Sequence, residues 1–224
     1  MKNYLKIWLN HMSKIRSRQG LYEFLVSEYS TIPANSLVLS VGAGGEVNGL
    51  LVQYAKKIGF EYLLFDINPN RQPDLVGDIC TYEFGNQSFD VVVLSEVLEH
   101  LHDPRLGLNN IYKILKTNGK LILSTPFILP IHDRPYDYFR FTRYGLALLL
   151  SQFKEVIIKE RNTYFEAIDV LWLRLLQTQI RSAWILSIFI IPIVFFLKRP
   201  ISLLLGKVVL TDSMTTGYVV TAVK

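Results

Sequence analysis

Residues 36–46, Ser-Leu-Val-Leu-Ser-Val-Gly-Ala-Gly-Gly-Glu, decide the fold of this 224-residue chain. The apolar first half of the stretch predicts a strand that is buried on both faces of a sheet. Gly42, Gly44 and Gly45 then predict a tight turn that a ligand can approach closely. The helix predicted at about 46–58 would direct its free N–H groups at anything bound above the turn. Taken alone, the stretch fits many nucleotide ligands, and it also fits a turn without a ligand.

Three more predicted strands follow this turn. The strand at 62–66 ends in Asp66, just over twenty residues after the glycines. In a nucleotide-binding sheet, a carboxylate at this position binds the ribose hydroxyls. Uninterrupted apolar runs predict two further buried strands at 89–95 and 119–126. Asp103 is the expected N-cap of a helix from Pro104 to Lys116, which Asn118-Gly119 would terminate.

Five segments together resemble the class I S-adenosylmethionine-dependent methyltransferases. They are Val-Leu-Ser-Val-Gly-Ala-Gly-Gly (38–45), Phe-Asp-Ile-Asn (65–68), Gly-Asp-Ile (77–79), Phe-Asp-Val-Val-Val-Leu-Ser-Glu-Val-Leu-Glu-His (89–100) and Gly-Lys-Leu-Ile-Leu-Ser-Thr-Pro (119–126). The resemblance covers about 35–160 and resumes near 217–220. It implies an α/β fold with a Rossmann-like sheet that is mostly parallel, with an antiparallel last strand and helices on both faces. It also implies S-adenosyl-L-methionine as the cofactor.

The resemblance assigns cofactor contacts residue by residue. The expected contacts are Ser40, Gly42, Gly44, Glu46, Asp66, Ile67, Asp78, Ile79 and Ser95. Asp66 would bind ribose, and Asp78 and Ile79 would contact adenine, although Asp78 also fits the alternative of a turn-forming aspartate. Ser40 and Glu46 stand where the family often has an acid and a glycine. We therefore expect either weaker cofactor binding or a role for Glu46 in place of the missing acid.

The segment 125–142 is predicted to be a loop that crosses the cofactor end of the sheet. Its pattern His-x-x-Pro-x-Asp-Tyr-x-Arg-Phe-Thr resembles a type 11-like subgroup that is associated with bacterial surface-glycan assembly. His132 is the candidate catalytic base, because imidazole titrates near neutral pH. Asp137 would orient His132 or act in its place. Arg140 would hold an anionic group, or it would pair with Asp137 and stiffen a lid, with Thr142 capping the next helix.

The sequence gives little reason to expect a metal. The single cysteine, Cys80, excludes an intramolecular disulfide and a thiolate-cluster metal site, and it suits a reducing compartment. Glu99 and His100 invite a metal or acid–base role. Because no second histidine stands at ligand spacing, we favour a structural role for His100 and predict no bound metal.

The chain divides into three predicted parts. Residues 1–30 form a basic amphipathic helical leader, which would cap the substrate pocket, pack on the sheet edge or lie on an anionic membrane. Residues 31–161 and 212–224 form the methyltransferase domain. Residues 162–211 form an apolar helical insertion before the last strand, at the place where the family makes a short hairpin.

The insertion is apolar enough to suggest membrane association. Its uncharged stretch 183–197 would span about 22 Å as a helix, which is short of the roughly 30 Å hydrocarbon core. Pro192 would kink this helix, and Lys198-Arg199-Pro200 would interrupt the apolar run. We expect a peripheral or monotopic segment whose flanking cations meet lipid headgroups. The alternatives are a helical pair that covers the sheet and a homodimer interface.

These observations predict a methyltransferase that modifies an oxygen of a small-molecule or lipid-linked glycan acceptor. The expected location is the cytoplasm, at the inner face of the cell membrane. The net charge of +5 is modest, and no basic stripe interleaved with aromatic residues indicates nucleic acid. The chain lacks an Asn/Asp-Pro-Pro-Tyr motif after 89–95, which argues against methylation of an exocyclic base or amide nitrogen. It also lacks a catalytic cysteine in a Pro-Cys setting, which argues against methylation of cytosine carbon 5. The alternatives are a catalytically degenerate scaffold or binding protein, and a nicotinamide-dependent oxidoreductase.

Overall fold

The computed structural model describes residues 17–174 and 181–224, so most of the predicted leader lies outside the described residues. The described residues form two compact units. The first contains 17–22, Phe127–His132 and Glu160–Gly217, and the second contains Glu23–Pro126, Asp133–Lys159 and Tyr218–Lys224. The predicted division into leader, methyltransferase domain and insertion remains a prediction.

Seven strands form one sheet in the order β3-β2-β1-β4-β5-β7-β6. They are β1 (Leu37–Val41), β2 (Glu61–Asp66), β3 (Leu75–Val76), β4 (Phe89–Ser95), β5 (Leu115–Pro126), β6 (Lys154–Glu160) and β7 (Gly217–Val223). The pairs β1–β2, β1–β4, β2–β3 and β4–β5 are parallel. The last strand β7 is antiparallel to β5, because the N–H of Asn118 donates to Lys224 and that of Phe127 donates to Thr216. This sheet confirms the predicted fold.

The two central strands are buried on both faces. Val38 and Leu39 of β1, and Val92 and Val93 of β4, are all 0% exposed. Such continuous apolar runs are typical of parallel strands that are covered by helices on either side. Their carboxyl ends therefore open at one fixed edge of the sheet, where the glycine turn begins.

Four helices accompany the strands: α1 (Gln19–Ser30), α2 (Gly45–Ile58), α3 (Pro104–Ile114) and α4 (Arg143–Leu149). The predicted N-caps are present, since Asp103 accepts the N–H of Leu106 at 2.9 Å and Thr142 accepts that of Gly145 at 3.1 Å. The predicted termination of α3 by Asn118-Gly119 is wrong. The chain already enters β5 at Leu115, and Asn118 lies inside that strand with φ 62°.

The insertion forms α5 (Tyr164–Leu173), α6 (Arg181–Ile193), a π-helical segment (Val194–Lys198) and α7 (Arg199–Val208). The backbone is helical throughout 181–208, so Lys198-Arg199-Pro200 interrupts the apolar run of the sequence but not the helix. Pro192 lies inside α6, where it cannot donate a backbone hydrogen bond, and the π-helical segment begins two residues later. Pro200 lies in the first turn of α7, where a proline is tolerated best.

The apolar stretch Ile188–Val208 is, by length and composition alone, one helix capable of crossing a membrane, and only 17% of its apolar window is buried. Its inner side packs within the first unit, where Ile191 and Val194 form a small core with Leu173 of α5. The helix therefore has one side that packs on protein and another that is largely exposed.

Candidate active site

A cavity of about 650 Å³ lies at the carboxyl ends of β1, β2 and β4, within the second unit. Open parallel sheets bind ligands at this edge, and the volume is in the usual range for small-molecule and cofactor sites. The cavity brings together five of the predicted cofactor residues: Gly42, Asp66, Ile67, Asp78 and Ile79. Residues that were predicted from three separate turns of the sequence thus line one cavity, and their contact with a cofactor remains a prediction.

The glycine turn needs a glycine at position 42 for two reasons. Gly42 has φ +92°, a conformation that residues with a side chain rarely adopt. A Cβ atom there would also lie 2.5 Å from Cγ2 of Val97, well inside contact distance. The Gly42 N–H donates to the carbonyl of Phe65 at 2.8 Å, which ties the turn to the end of β2. The backbone at Gly42 therefore forms part of the cavity wall with no side chain in front of it.

Ser40 supports this turn from the interior. Its hydroxyl donates to Oδ1 of Asn48 at 2.7 Å, and Nδ2 of Asn48 donates to the carbonyl of Gly42 at 2.9 Å. Both polar side chains are buried, with 1% and 5% exposure. Sequence analysis missed Asn48, although a lone asparagine in the second turn of an otherwise apolar helix face is a signal. The neutral pair holds the turn at the place where an acid was expected.

The remaining predicted cofactor contacts lie outside the described lining of the cavity: Ser40, Gly44, Glu46 and Ser95. Glu46 is exposed in the first turn of α2. The hydroxyl of Ser95 is 2.8 Å from that of Ser124 on the neighbouring strand. A cofactor contact for each of these residues, including a substitute role for Glu46, remains a prediction.

Asp66 is the best-positioned polar group of the site. It lies at the end of β2 and is 4% exposed. Its Oδ1 accepts the N–H of Asn68 at 2.8 Å, and its Oδ2 accepts a hydrogen bond from Nη1 of Arg71 at 3.1 Å. Each carboxylate oxygen can accept a second bond, so capacity for ribose hydroxyls remains. Arg71, which sequence analysis did not single out, also lines the cavity.

Asp78 and Ile79 form another part of the cavity wall. Oδ1 of Asp78 accepts the N–H of Cys80 at 2.9 Å, which is the turn-forming role predicted as the alternative. Oδ2 of the same carboxylate is 3.6 Å from Nδ1 of His102 and lies at the cavity. Ile79 is 2% exposed, and Nδ2 of Asn110 donates to its carbonyl at 2.9 Å. Asp78 therefore stabilises a turn with one carboxylate oxygen and also lines the cavity.

The possible ligand atoms of Asp78, Cys80 and His102 lie within 4.8 Å of one another. Burial, followed by the nearby charge of Asp78, raises the pKa of the Cys80 thiol to about 11. Because the thiolate is the form that binds metals, this thiol is a poor ligand at neutral pH. The cluster gives no support to a metal, and the prediction of none remains untested.

The predicted loop contributes a third part of the wall through Asp133, Tyr136 and Tyr138. It is anchored on the 3₁₀ turn Leu98–His100, because the N–H groups of Tyr138 and Phe139 donate to the carbonyl of Glu99 at 3.0 and 3.2 Å. This anchoring places the aromatic loop residues beside the cofactor edge.

His100 is held in one orientation at the cavity. Its Nδ1 is 2.8 Å from the carbonyl oxygen of Tyr136. Since a carbonyl only accepts, we assign the proton to Nδ1, which makes Nε2 the acceptor nitrogen of the neutral ring. Nε2 lies 3.7 Å from Oε1 of Glu99 and 3.8 Å from Oδ2 of Asp133. The structure thus adds a candidate base that the sequence argument had assigned a structural role.

Asp137 and Arg140 form a bidentate pair in the same loop. Nη2 of Arg140 donates to Oδ2 of Asp137 at 2.7 Å, Nη1 donates to Oδ1, and the carboxylate side chain is 1% exposed. The bond from Asp137 raises the pKa of Arg140, despite burial, and the charges of Glu99 and Glu96 add to this effect. The pairing favours the stiffening role. His132 is half-buried and belongs to the first unit, so its role as base remains a prediction.

The geometry defines the class of a Rossmann-like cofactor-binding domain, with a cavity at the carboxyl ends of its parallel strands. A family model described as "Methyltransferase domain" matches residues 15–153. This match covers more than half of the chain, so the chain belongs to this methyltransferase family.

Individual relatives match over shorter stretches. A ubiquinone biosynthesis O-methyltransferase from Xanthomonas axonopodis pv. citri is 32% identical over 110 residues, which cover 42% of this chain and 44% of the relative. A demethylmenaquinone methyltransferase from Corynebacterium efficiens is 37% identical over 95 residues, covering 41% and 38%. The match therefore spans less than half the length of these curated relatives.

Solved structures agree with the fold. Phosphoethanolamine N-methyltransferase 2 from Haemonchus contortus, in complex with S-adenosyl-L-methionine, superposes with a TM-score of 0.57 at 16% identity. The superposition covers 92% of this chain and 52% of that one. At this identity the similarity establishes the architecture alone.

Proposed function

We propose that this protein transfers a methyl group from S-adenosyl-L-methionine to an oxygen of a glycan or lipid-linked saccharide at the cytoplasmic face of a membrane. The observation that carries the proposal is the convergence of Gly42, Asp66 and Asp78 on one cavity at the carboxyl edge of the sheet. Family membership supports methyl transfer, and the loop pattern at 132–142 supports a glycan acceptor.

The residues of the cavity fit this cofactor. The space at Gly42 that a Cβ would fill allows a ligand to lie directly against the backbone. Asp66 would bind the ribose hydroxyls, and Asp78 and Ile79 would contact the adenine amine and ring. Arg71 lies beside the same acid and supplies a positive charge for a carboxylate. The bound cofactor supplies a methyl group that its sulfonium has already activated.

The acceptor side has two tasks, which are alignment and proton removal. The anchored loop aligns the acceptor by placing Tyr136 and Tyr138 in the wall of the cavity. As the new C–O bond forms and the C–S bond of the sulfonium breaks, a hydroxyl acceptor must lose its proton, and Nε2 of His100 would accept it. The carboxylates of Glu99 and Asp133 would then stabilise the charged imidazolium. His132 remains the second candidate for this role.

Oxygen is the favoured acceptor atom because the sequence lacks an Asn/Asp-Pro-Pro-Tyr motif after 89–95, which argues against methylation of an exocyclic base or amide nitrogen. The names of the relatives do not decide between the two elements, since the Xanthomonas relative is an O-methyltransferase and the Haemonchus structure is an N-methyltransferase. The scaffold alternative depends on the departures at Ser40 and Glu46. The bonds from Ser40 to Asn48 and from Asn48 to the turn favour a cavity that is maintained rather than lost.

Calorimetric titration of the folded protein with S-adenosyl-L-methionine and S-adenosylhomocysteine tests the proposal. We expect micromolar binding of both ligands. Methyl transfer from labelled cofactor to lipid-linked saccharide fractions, compared with quinols and phosphoethanolamine, then tests the acceptor class. If a folded protein binds neither ligand, the scaffold alternative replaces methyl transfer.

A further inference from the structure

We propose that the helical stretch 181–208 lies in the plane of an anionic phospholipid bilayer, with its exposed side against the lipid. This inference rests on the proposed position at a membrane face and not on methyl transfer. We define the outer face as the large apolar residues of this stretch that are 52–74% exposed. They are Phe189, Ile193, Phe196, Leu197, Ile201, Leu204 and Val208.

The outer face is uninterrupted because the central cations of the helix point into the first unit. Lys198 pairs with the carboxylate of Asp169, a side chain that is 6% exposed. Nη2 of Arg199 donates to Oε1 of Gln19 at 2.9 Å. The candidate stretch has 21 residues, which corresponds to about 31 Å of helix. The outer face therefore exposes seven large apolar side chains along one helix, and exposed apolar patches of this kind mark interaction or membrane sites.

The chain path favours an in-plane orientation over a crossing. The N–H of Arg161 donates to the carbonyl of Gly217 at 2.9 Å, so the insertion begins and ends at one point. An insertion with this path crosses a bilayer an even number of times or not at all. The accompanying helix α5 has 10 residues, about 15 Å, which is half of the hydrocarbon thickness. An interfacial helix buries its apolar side to a depth of only about 5–10 Å. A helix with one exposed apolar side, such as the outer face, can bind in this way.

Charge favours an anionic bilayer. The sequence from 170 to 211 contains no Asp or Glu, so no carboxylate of this stretch would repel lipid headgroups. Lys198 and Arg199 are bound by Asp169 and Gln19 inside the first unit. The helical stretch begins at Arg181, and Lys207 is exposed next to the outer face. Each cation near an anionic surface contributes about 1 kcal/mol, so the bilayer suits both the apolar strip and the cations at its ends.

Flotation of the full chain with vesicles tests the inference. We compare phosphatidylcholine vesicles with vesicles that also contain phosphatidylglycerol. Binding to the anionic vesicles should be at least about tenfold tighter and should weaken with added salt. Equal binding to both, or none to either, by a folded protein overturns the inference.

The double variant Phe196→Ser/Leu197→Ser removes the centre of the outer face, and Leu148→Ser is its matched control. Leu197 and Leu148 are 66% and 67% exposed, and Leu148 lies on α4 in the other unit. The double variant should bind anionic vesicles at least about tenfold more weakly, whereas the control should bind as the original chain does. If the double variant does not fold, Leu204→Ser makes the same test.

Cofactor titration and light scattering on the same samples separate the possible failures. Vesicle binding without cofactor binding leaves the docking face standing and removes the proposed methyl transfer. Cofactor binding without vesicle binding overturns only the docking face. Loss of a dimer in the double variant, with no vesicle binding by the original chain, assigns the face to a second copy instead.

Discussion

Asp66 and Arg71 form an ion pair at the edge of the cavity, with Nη1 3.1 Å from Oδ2. The same arginine lies against the glycine turn, because a Cβ at Gly44 would be 3.3 Å from its Cδ. Asp66 and the glycine turn, which are more than twenty residues apart in sequence, are thus linked through one side chain. A ligand above the turn would meet a carboxylate that is already oriented.

Replacing Asp66 should remove cofactor binding. Asp66→Ala deletes a buried acceptor and leaves Arg71 without its partner, so we expect S-adenosylhomocysteine affinity to fall at least about tenfold. Calorimetry measures this change. Asp90→Ala removes a carboxylate at the opposite end of β4 and should keep the original affinity. Equal affinity in the Asp66 variant would eliminate the ribose assignment.

Gly42→Ala should weaken both the fold and the site. The added Cβ would meet Val97 at 2.5 Å in a backbone conformation that disfavours side chains. We expect a loss of about 1–3 kcal/mol in the free energy of unfolding, together with weaker cofactor binding. Urea denaturation measures the first and calorimetry the second.

Gly49→Ala is the control for this variant, because a Cβ at Gly49 meets nothing within 4 Å and the residue is in the middle of α2. It should be neutral or stabilising by up to about 1 kcal/mol. The double variant Gly42→Ala/Val97→Ala should recover part of the loss, since it relieves the clash but not the backbone strain. No difference between the two glycine positions would contradict the argument.

His100→Gln and His132→Gln distinguish the two candidate bases. The variant that loses the true base should turn over about 10²–10⁴-fold more slowly while binding the cofactor normally. Single-turnover methyl transfer measures the rate. Full activity in His100→Gln would return the base role to His132. Full activity in both variants would exclude a histidine base.

Asp90 should make stability depend on pH under acidic conditions. Burial opposes ionisation, but the N–H of Leu37 and the ammonium of Lys116 together hold the pKa of Asp90 below its ordinary 3.8. A depressed folded pKa gives stability that is present above the unfolded pKa and is lost as pH falls through the folded pKa. Asp90→Asn should therefore be less stable at pH 7, and its deficit should shrink below about pH 4. Denaturant titrations across this range measure it, and a constant deficit would contradict the assignment.

Sequence patterns predicted the sheet because its signals are local. The buried strands, the turn at Gly42 and the caps at Asp103 and Thr142 each depend on residues within a few positions of one another. The last strand was expected after the insertion, where the resemblance resumes near 217–220, and β7 (Gly217–Val223) lies there. The same local reasoning placed Asp66 and Asp78 at the cavity, because parallel strands end at a common edge.

The misses involve partners that are distant in sequence. Sequence analysis assigned no protein partner to Lys198 or Arg199, but Asp169 and Gln19 bind these two cations from 29 and 180 residues away. The orientation of His100 depends on the carbonyl of Tyr136, which is 36 residues further along. No periodicity or spacing rule contains such contacts, so the role of a charged or titratable side chain was the least predictable property.

Because the backbones of Arg161 and Gly217 are hydrogen-bonded to each other, the segment between them can be removed without separating β6 from β7. Backbone atoms 2.9 Å apart are close enough for a two-residue hairpin turn to join them directly. If residues 163–215 are replaced by a two-residue turn, β6 and β7 should form a β-hairpin. The same junction would accept a different segment, so the surface that the chain presents there can be exchanged without altering any of the seven strands.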